Sequence, residues 1–583
     1  MDSASVKGFH KRLLPLQQRI YRSLEDEADR LLGQMPPAIQ RYERQYRGDF
    51  KKFLRSAKIA EKDELIHAIQ HSEVTLIADF HTFPQAQRTA LRLMREAITP
   101  QEHEKYRWAI GLELVPSHYQ KFLDQFQEGK LSLQEFHEAI HYQEEWGFPW
   151  QNYQPIFDWA RENGVRILGL NQPKEIFRTS ATLRKAHRDS ELQARDRWAA
   201  GIISDWVEHE KGKVIVLYGE LHVAGRHLPY WISQVSKEYI GKPIKLVTVH
   251  QNNDELYWRF ALKGRGGAQA SVLSLRKNIY CVLSSTPWAK LQSLINWAEG
   301  SELEDDPDYL GELNTYGQTI ASLLGVRVPA YELLNVRTIN EADFVESVEG
   351  MHGFSKRELQ IIRHQVATNQ RFYVPRVNVA YVGSPSPNGM AELAALYLFR
   401  VHSGSQSILS DREELLDEFF RILLESAFGF FGSLFINPKR KCDLPADHRK
   451  KILEIRKQLR SRAPASMKAQ LATQLEAREL SLEVLKWRKP RGNEKAAAAE
   501  LRSYGRALKL SAPTIALAAK YVGQILAKRL YEVLAAEKVS PERISELFFK
   551  QLASSKISYA DRYFQILNET KTLKLADSKA EEL

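Results

Sequence analysis

Cysteine is nearly absent. Cys281 and Cys442 are the only two in 583 residues, so neither a disulfide framework nor a cysteine-based metal centre can be assembled. That usage suits a reducing compartment, and a cytoplasmic location is the expectation. Long uncharged apolar runs are missing as well: the nearest, Ala512 to Ala527, is broken by Lys520, and a membrane helix needs ~18–20 such residues. No membrane span is expected. The opening MDSASVKGFHKRLL carries basic residues with no apolar stretch or small-residue cleavage site behind them, so no secretory signal is expected either. A strong excess of one charge is also lacking. The 83 Lys and Arg residues face 72 Asp and Glu, and the net +11 spread over this length does not by itself imply nucleic acid. There is no internal repeat and no long low-complexity tract.

What is present is an ordinary globular composition, 43% apolar and 27% charged. A single core stops growing near ~250–300 residues, so the chain must divide into at least two domains. Four short runs rich in Val, Ile and Leu, at Val74–Ala78, Trp108–Leu112, Val165–Leu170 and Val214–Tyr218, read as strands buried on both faces. Amphipathic stretches at Gln85–Ile98, Gln154–Asn163 and Leu192–Glu210 read as the helices between them. This alternation predicts an α/β fold with a doubly wound, mostly parallel sheet. Asn163-Gly164 supplies a helix C-terminus before the third strand. Two further strands are expected at Ile244–His250 and Leu256–Leu262.

The expected organisation is an N-terminal helical segment over 1–70, the α/β domain over 71–262 with a small helical insertion at 116–153, and a mainly α-helical C-terminal region over 271–583, divided into 271–435 and 436–583. The turn-rich Lys263–Ala270 marks the boundary, so truncation after Gly267 should leave a folded domain. In the C-terminal region, Ser410-Asp-Arg-Glu413 reads as a capping box heading an apolar helix that ends in the aromatic patch Phe428–Phe435. Lys439–Arg462 holds ten Lys or Arg against three acids. A solvated helix face explains that run better than a phosphate-binding stripe.

The informative feature is the set of polar residues at the strand ends. The first strand leads into Asp79-Phe80-His81, the second into Glu113, the third into Asn171, and the fourth into Gly219-Glu220-Leu221-His222. Ligands of open parallel sheets bind outside the carboxyl ends of the strands, so these groups should converge. Taken singly, each has a plainer role as a helix cap or a half-buried loop residue. Four strands ending this way favour a site. Two imidazoles and a carboxylate, His81, His222 and Glu113, form a ligand set for a divalent metal or an acid–base pair without one. Asp79, Asn171, Gly219 and Glu220 would contact the ligand, with Gly219 allowing close backbone approach.

The strings Leu76–His81, Gly111–Glu113, Trp150–Tyr153, Ile167–Asn171, Arg195–Ala199 and Val216–His222 together resemble the ChaN-like domain, of a superfamily that includes Tiki proteases, TraB proteins and erythromycin esterases. The resemblance spans about Glu73 to Leu262. Its motifs are Gly-Glu-x-His early, Gly-x-x-His late and a Glu between; His81, Glu113, Gly219 and His222 match, while Ala78 and Asp79 replace the Gly and Glu. The resemblance implies a haem-binding, iron-uptake function on a homodimeric domain with a small helical subdomain. Haem, or another iron-bearing tetrapyrrole, is thus the first expected ligand. The alternatives are a metal-dependent hydrolase of the Tiki or erythromycin-esterase kind, and a platform whose basic helices engage nucleic acid or an acidic protein.

Overall fold

The computed structural model describes residues 7–33, 35–173, 188–262, 271–302, 309–337, 354–363 except 357, 360 and 361, 371–381, 386–404, 415–460, 465–489, 494–549 and 558–570. They gather into two compact units, one from Tyr21–Glu304 and one from Asp305–Asp577 together with the chain up to Ile20.

The first unit is built on an eight-stranded sheet of β1 (Lys58–Ile59), β2 (Val74–Asp79), β3 (Trp108–Pro116), β4 (Arg166–Asn171), β5 (Lys213–Gly219), β6 (Leu246–Gln251), β7 (Val272–Arg276) and β8 (Ile279–Val282). The spatial order is β1-β7-β8-β6-β2-β5-β3-β4. From β8 to β4 every pairing is parallel, and only β7 runs antiparallel to its neighbours. Alternation along the strands builds two cores. Ile77, Ile110, Leu112, Ile215 and Leu217 pack with the helices Lys62–Gln70, Pro84–Ala97 and Gln154–Glu162 on one face. Leu76, Ala78, Val214, Val216 and Tyr218 pack with Arg188–His209 and Leu228–Ile240 on the other. The doubly wound reading therefore holds. Between β3 and Gln154–Glu162 the chain is helical, in short helices at Gln120–Gln127, Leu133–Ala139 and Tyr142–Glu145. Gly164 takes the positive φ expected of it, +65°.

Three expectations need correction. Leu256–Leu262 is part of a helix, Asp254–Leu262, whose buried Leu256, Tyr257, Phe260 and Ala261 follow the helical rather than the alternating period, and the Asn253 side chain accepts from Leu256 N at its start. The α/β unit does not end near residue 262, because β7 and β8 complete the sheet beside β6; truncation after Gly267 would strip two strands from it. Lys263–Ala270 itself lies outside the described residues. Nor do residues 1–70 stand apart: the helix Pro37–Ser56 buries Tyr42, Tyr46, Phe50 and Phe53, and β1 pairs with β7.

Among the described residues, the two expected halves of the second unit share a helical core, with Leu13, Ile320, Phe399, Phe428, Leu526 and Phe564 in the same cluster. The helices Leu415–Ile436 and Ala512–Ala535 cross closely at Gly523, where a Cβ would meet Leu423 O at 2.6 Å. Phe428, Phe430, Phe431 and Phe435 are buried, as core residues should be. The 410–413 capping box lies outside the described residues. A small sheet of β9 (Asn335–Arg337), β10 (Phe372–Val374) and β11 (Val379–Tyr381) is ordered β10-β11-β9. Among the described residues, one helix, Leu416–Ile436, has the length and mean hydropathy, 1.6, to cross a membrane, and 83% of its apolar 18-residue stretch is buried inside the protein.

Candidate functional site

In-register pairing of Asp79 with Gly219 levels the ends of the central strands β2 and β5. The segments leaving these two strands must therefore meet. Odd-numbered positions of β2 face the core that holds the helical insertion, so Asp79 points that way and is buried. Its Oδ2 accepts from His81 Nδ1 at 2.8 Å and from Tyr153 Oη at 2.7 Å, and its Oδ1 from Gln87 Nε2 at 2.5 Å. Glu113 on β3 points to the opposite face. Its Oε1 accepts from Arg195 Nη2 at 2.5 Å and its Oε2 from the Gly219 backbone N–H at 2.6 Å.

His81 lies between these two carboxylates, with Nε2 3.8 Å from Glu113 Oε2. His222, on the single turn Glu220–Val223 after β5, donates from Nδ1 to Asp196 Oδ1 at 2.6 Å. The other Asp196 oxygen takes the Tyr42 hydroxyl at 3.0 Å. Gly219 is the hub: a Cβ there would lie 3.0 Å from Glu113 Oε2, 3.4 Å from His81 Nε2 and 3.5 Å from His222 Cδ2. Only glycine leaves that space free. The structure thus brings together Asp79, His81, Glu113, Gly219 and His222. Asn171 joins from β4 by accepting from Arg195 Nε at 3.1 Å. Glu220 is engaged elsewhere, with both carboxylate oxygens 2.9 Å from Lys290 Nζ.

The electrostatics of the centre arise from these contacts. Burial alone would push the His81 imidazole down, but the Asp79 hydrogen bond and the charges of Asp79 and Glu113 hold it above the ordinary histidine value. Burial would raise the Glu113 carboxyl; Arg195, then His81 and His222, then the Gly219 N–H outweigh it and hold the group ionised below the usual carboxylate range. Burial and the Asp79 charge push the Tyr153 phenol far up, so it stays a hydrogen-bond donor. Each imidazole is oriented by a carboxylate on Nδ1, which leaves its Nε2 as the working atom. Such a pair can move protons, or hold a cation if Glu113 released a partner. Among the described residues no three His, Cys, Asp or Glu side chains stand at metal-ligand spacing.

Residue-by-residue reading of the strand ends missed Asp196, Tyr153, Gln87 and Tyr42. Arg195 and Asp196 belong to one of the strings that carry the resemblance, but with no role attached. An adjacent Arg-Asp pair inside the apolar-periodic Arg188–His209 helix was the available signal. Tyr42 had none, since its helix lies before the first strand of the site.

Beside this centre the helical insertion forms an open cavity of about 680 Å³, lined by His137, His141, Tyr142, Phe148 and Trp150 among others. Phe148 and Trp146 also touch the His81 ring, at centroid distances of 4.9 and 4.5 Å, so cavity wall and polar centre are continuous. Tyr142 donates its hydroxyl to Phe148 O at 2.8 Å, bracing the wall. His137 is stacked on Tyr142, and burial pushes its imidazole down from the ordinary value.

Residues 65–195 match the family described as haem-binding uptake, Tiki superfamily, ChaN, in agreement with the resemblance carried by the strand-end motifs. Among solved structures, the chain described as "Cofacial heme binding to ChaN of Campylobacter jejuni" is similar at 16% identity, covering 34% of this chain and 88% of that chain, with a TM-score of 0.28. No curated protein matches.

Proposed function

We propose, from the ChaN-family match over residues 65–195, that the α/β unit binds an iron-bearing tetrapyrrole of the haem class. The observation that supports this reading is the cavity of the helical insertion, flanked by Tyr142, Phe148 and Trp150 with an exposed imidazole at His141. Flat apolar walls with one accessible nitrogen ligand suit a macrocycle held by dispersion and an axial bond. His141 would hold the iron, and the rings of Phe148 and Trp150 would cover the macrocycle. Bound there, the iron would supply ligand exchange or electron transfer. His81, braced by Asp79 and touching Phe148, would present its imidazole toward a propionate-type anion. The same reading takes the protein as cytoplasmic, in keeping with a sequence that holds only two cysteines, and as a homodimer when loaded.

A second reading has one specific observation in its favour, the two Asp–His pairs that close on Gly219. In it His81 and His222 activate water for hydrolysis, with or without a divalent metal shared with Glu113. One experiment separates the two. Haem is titrated into the wild type, His141→Ala and His81→Ala while bound metal is measured in each, at neutral and mildly acidic pH. A Soret shift in the wild type that weakens at least tenfold in His141→Ala supports haem. An unchanged Soret band in the wild type overturns it. Metal retained by the wild type and lost in His81→Ala supports the hydrolytic centre, whereas metal kept equally by both argues against it.

A further inference from the structure

In the helical unit, cationic side chains from three separate segments close on a single carboxylate. Glu392, in the helix Pro387–Ser403, is buried, and its Oε2 accepts from Arg440 Nη2 at 2.5 Å and from Arg371 Nη1 at 3.4 Å. Lys520, on Ala512–Ala535, stands close enough for Glu392, Arg371 and Arg440 all to act on its charge. Among the described residues, three cations against one anion leave an excess of two positive charges. The helix adds to it, because Arg371 lies against its first turn: a Cβ on Gly389 would meet Arg371 Nε at 2.5 Å, at the positive end of the helix dipole.

Arg440 is otherwise satisfied, by Ser433 Oγ and by the face of Phe430. Among the described residues the other two cations are less fully paired. Arg371 Nε is buried with no hydrogen-bond partner, and Lys520 forms no hydrogen bond or ion pair with the described residues. The acid closest in sequence to Arg440 is already committed: Asp443 holds Lys451 and Arg478. Burial pushes both the Lys520 ammonium and the Arg371 guanidinium down from their ordinary values, and the repulsion from Arg440 acts in the same direction. A partly buried group of three like charges that share a single counter-charge is costly. The Arg371 side chain keeps 24% of its surface exposed, so the cluster opens to solvent on that side.

We propose that Arg371, Arg440 and Lys520 form a binding site for a small dianionic oxyanion, of the phosphate or phosphomonoester class. A dianion would neutralise the excess, and its several oxygens would supply acceptors for Arg371 Nε and Lys520 Nζ, the planar guanidinium suiting such oxygens best. This site is separate from the strand-end centre and does not depend on the haem reading.

The test uses the full chain in chloride buffer at constant ionic strength, titrated calorimetrically with inorganic phosphate and, in a second arm, with a phosphomonoester such as glycerol phosphate. Saturable binding with one site per chain is expected, weakened at least tenfold in Lys520→Met and in Arg371→Gln, and unchanged in Arg449→Gln on the exposed basic helix Pro445–Leu459. Tighter binding in the phosphomonoester arm would identify an organic phosphate as the occupant; equal binding would identify the free ion. If a variant does not fold, acetylation of Lys520 in the wild type, followed by mass spectrometry, gives the same answer: phosphate should slow it at least fivefold. No saturable phosphate binding, or binding that survives Lys520→Met and falls in Arg449→Gln, overturns the proposal, as does an acetylation rate indifferent to phosphate.

Discussion

Glu113 in the α/β unit and Glu392 in the helical unit are both buried carboxylates with an arginine at 2.5 Å, yet one sits in a balanced group and the other in an overcompensated one. Around Glu113 the balance is one of partners: Arg195 and the imidazoles of His81 and His222 are set against Glu113, Asp79 and Asp196, and every buried carboxylate oxygen has a named donor. Around Glu392, Arg440, Arg371 and Lys520 share one acid, whose carboxyl they hold down at about 2 against the opposing effect of burial. A balanced group is rigid and suited to orienting reacting atoms. An unbalanced one is suited to receiving a missing charge.

The strongest way to break that comparison is to remove one cation from each group. Arg195→Met leaves Glu113 buried with only the Gly219 N–H and a more distant imidazole, and should destabilise the protein by about 3–5 kcal/mol, the usual result of orphaning one member of a buried pair. Arg371→Met leaves Glu392 its close partner Arg440 and relieves repulsion, so it should cost less than about 1 kcal/mol. Equilibrium urea unfolding of the full chain compares them; equal losses would erase the distinction. A smaller effect than that of Arg195→Met is expected from Asp196→Asn, which replaces the charged acceptor of His222 and should cost about 1.5–3 kcal/mol. Its sharper readout is the His222 ring N–H signal in NMR, which should broaden through faster exchange with water once the charged acceptor is gone.

The smallest effect concerns pH. His81 is raised above its ordinary value in the folded protein, so the stability it contributes is fully present below ~6.5 and is lost as pH rises through the higher folded value. Glu392 runs the other way: its contribution is present above the ordinary carboxylate value of 4.5 and is lost as pH falls toward about 2. The stability difference between wild type and His81→Asn should therefore shrink from pH 5.5 to 8.5. A constant difference would show that His81 does not draw its proton affinity from Asp79 and Glu113.

The legible parts of the site were those next to strands. His81, Glu113, Gly219 and His222 adjoin apolar runs whose composition marks them as buried, and a parallel sheet brings successive carboxyl ends to one edge. Asp196 and Tyr42 were not legible, because each sits on a helix whose angular setting depends on packing against the sheet. The misread Leu256–Leu262 shows the limit of short apolar runs, where strand and helix periods cannot be told apart over seven residues. β7 and β8 were cut from the domain because a turn-rich segment reads as a linker whether or not the chain returns to the same sheet.

By itself the sequence determined the α/β class, the parallel centre of the sheet, the helical insertion and the helical second unit, since these rest on local periodicity and on the burial it demands. Only the tertiary structure decided which charges balance. The partners of Glu113 come from positions 195 and 219 and those of Glu392 from 371, 440 and 520, and Coulomb energy depends on separation in space and on exclusion of water, neither of which distance along the chain records.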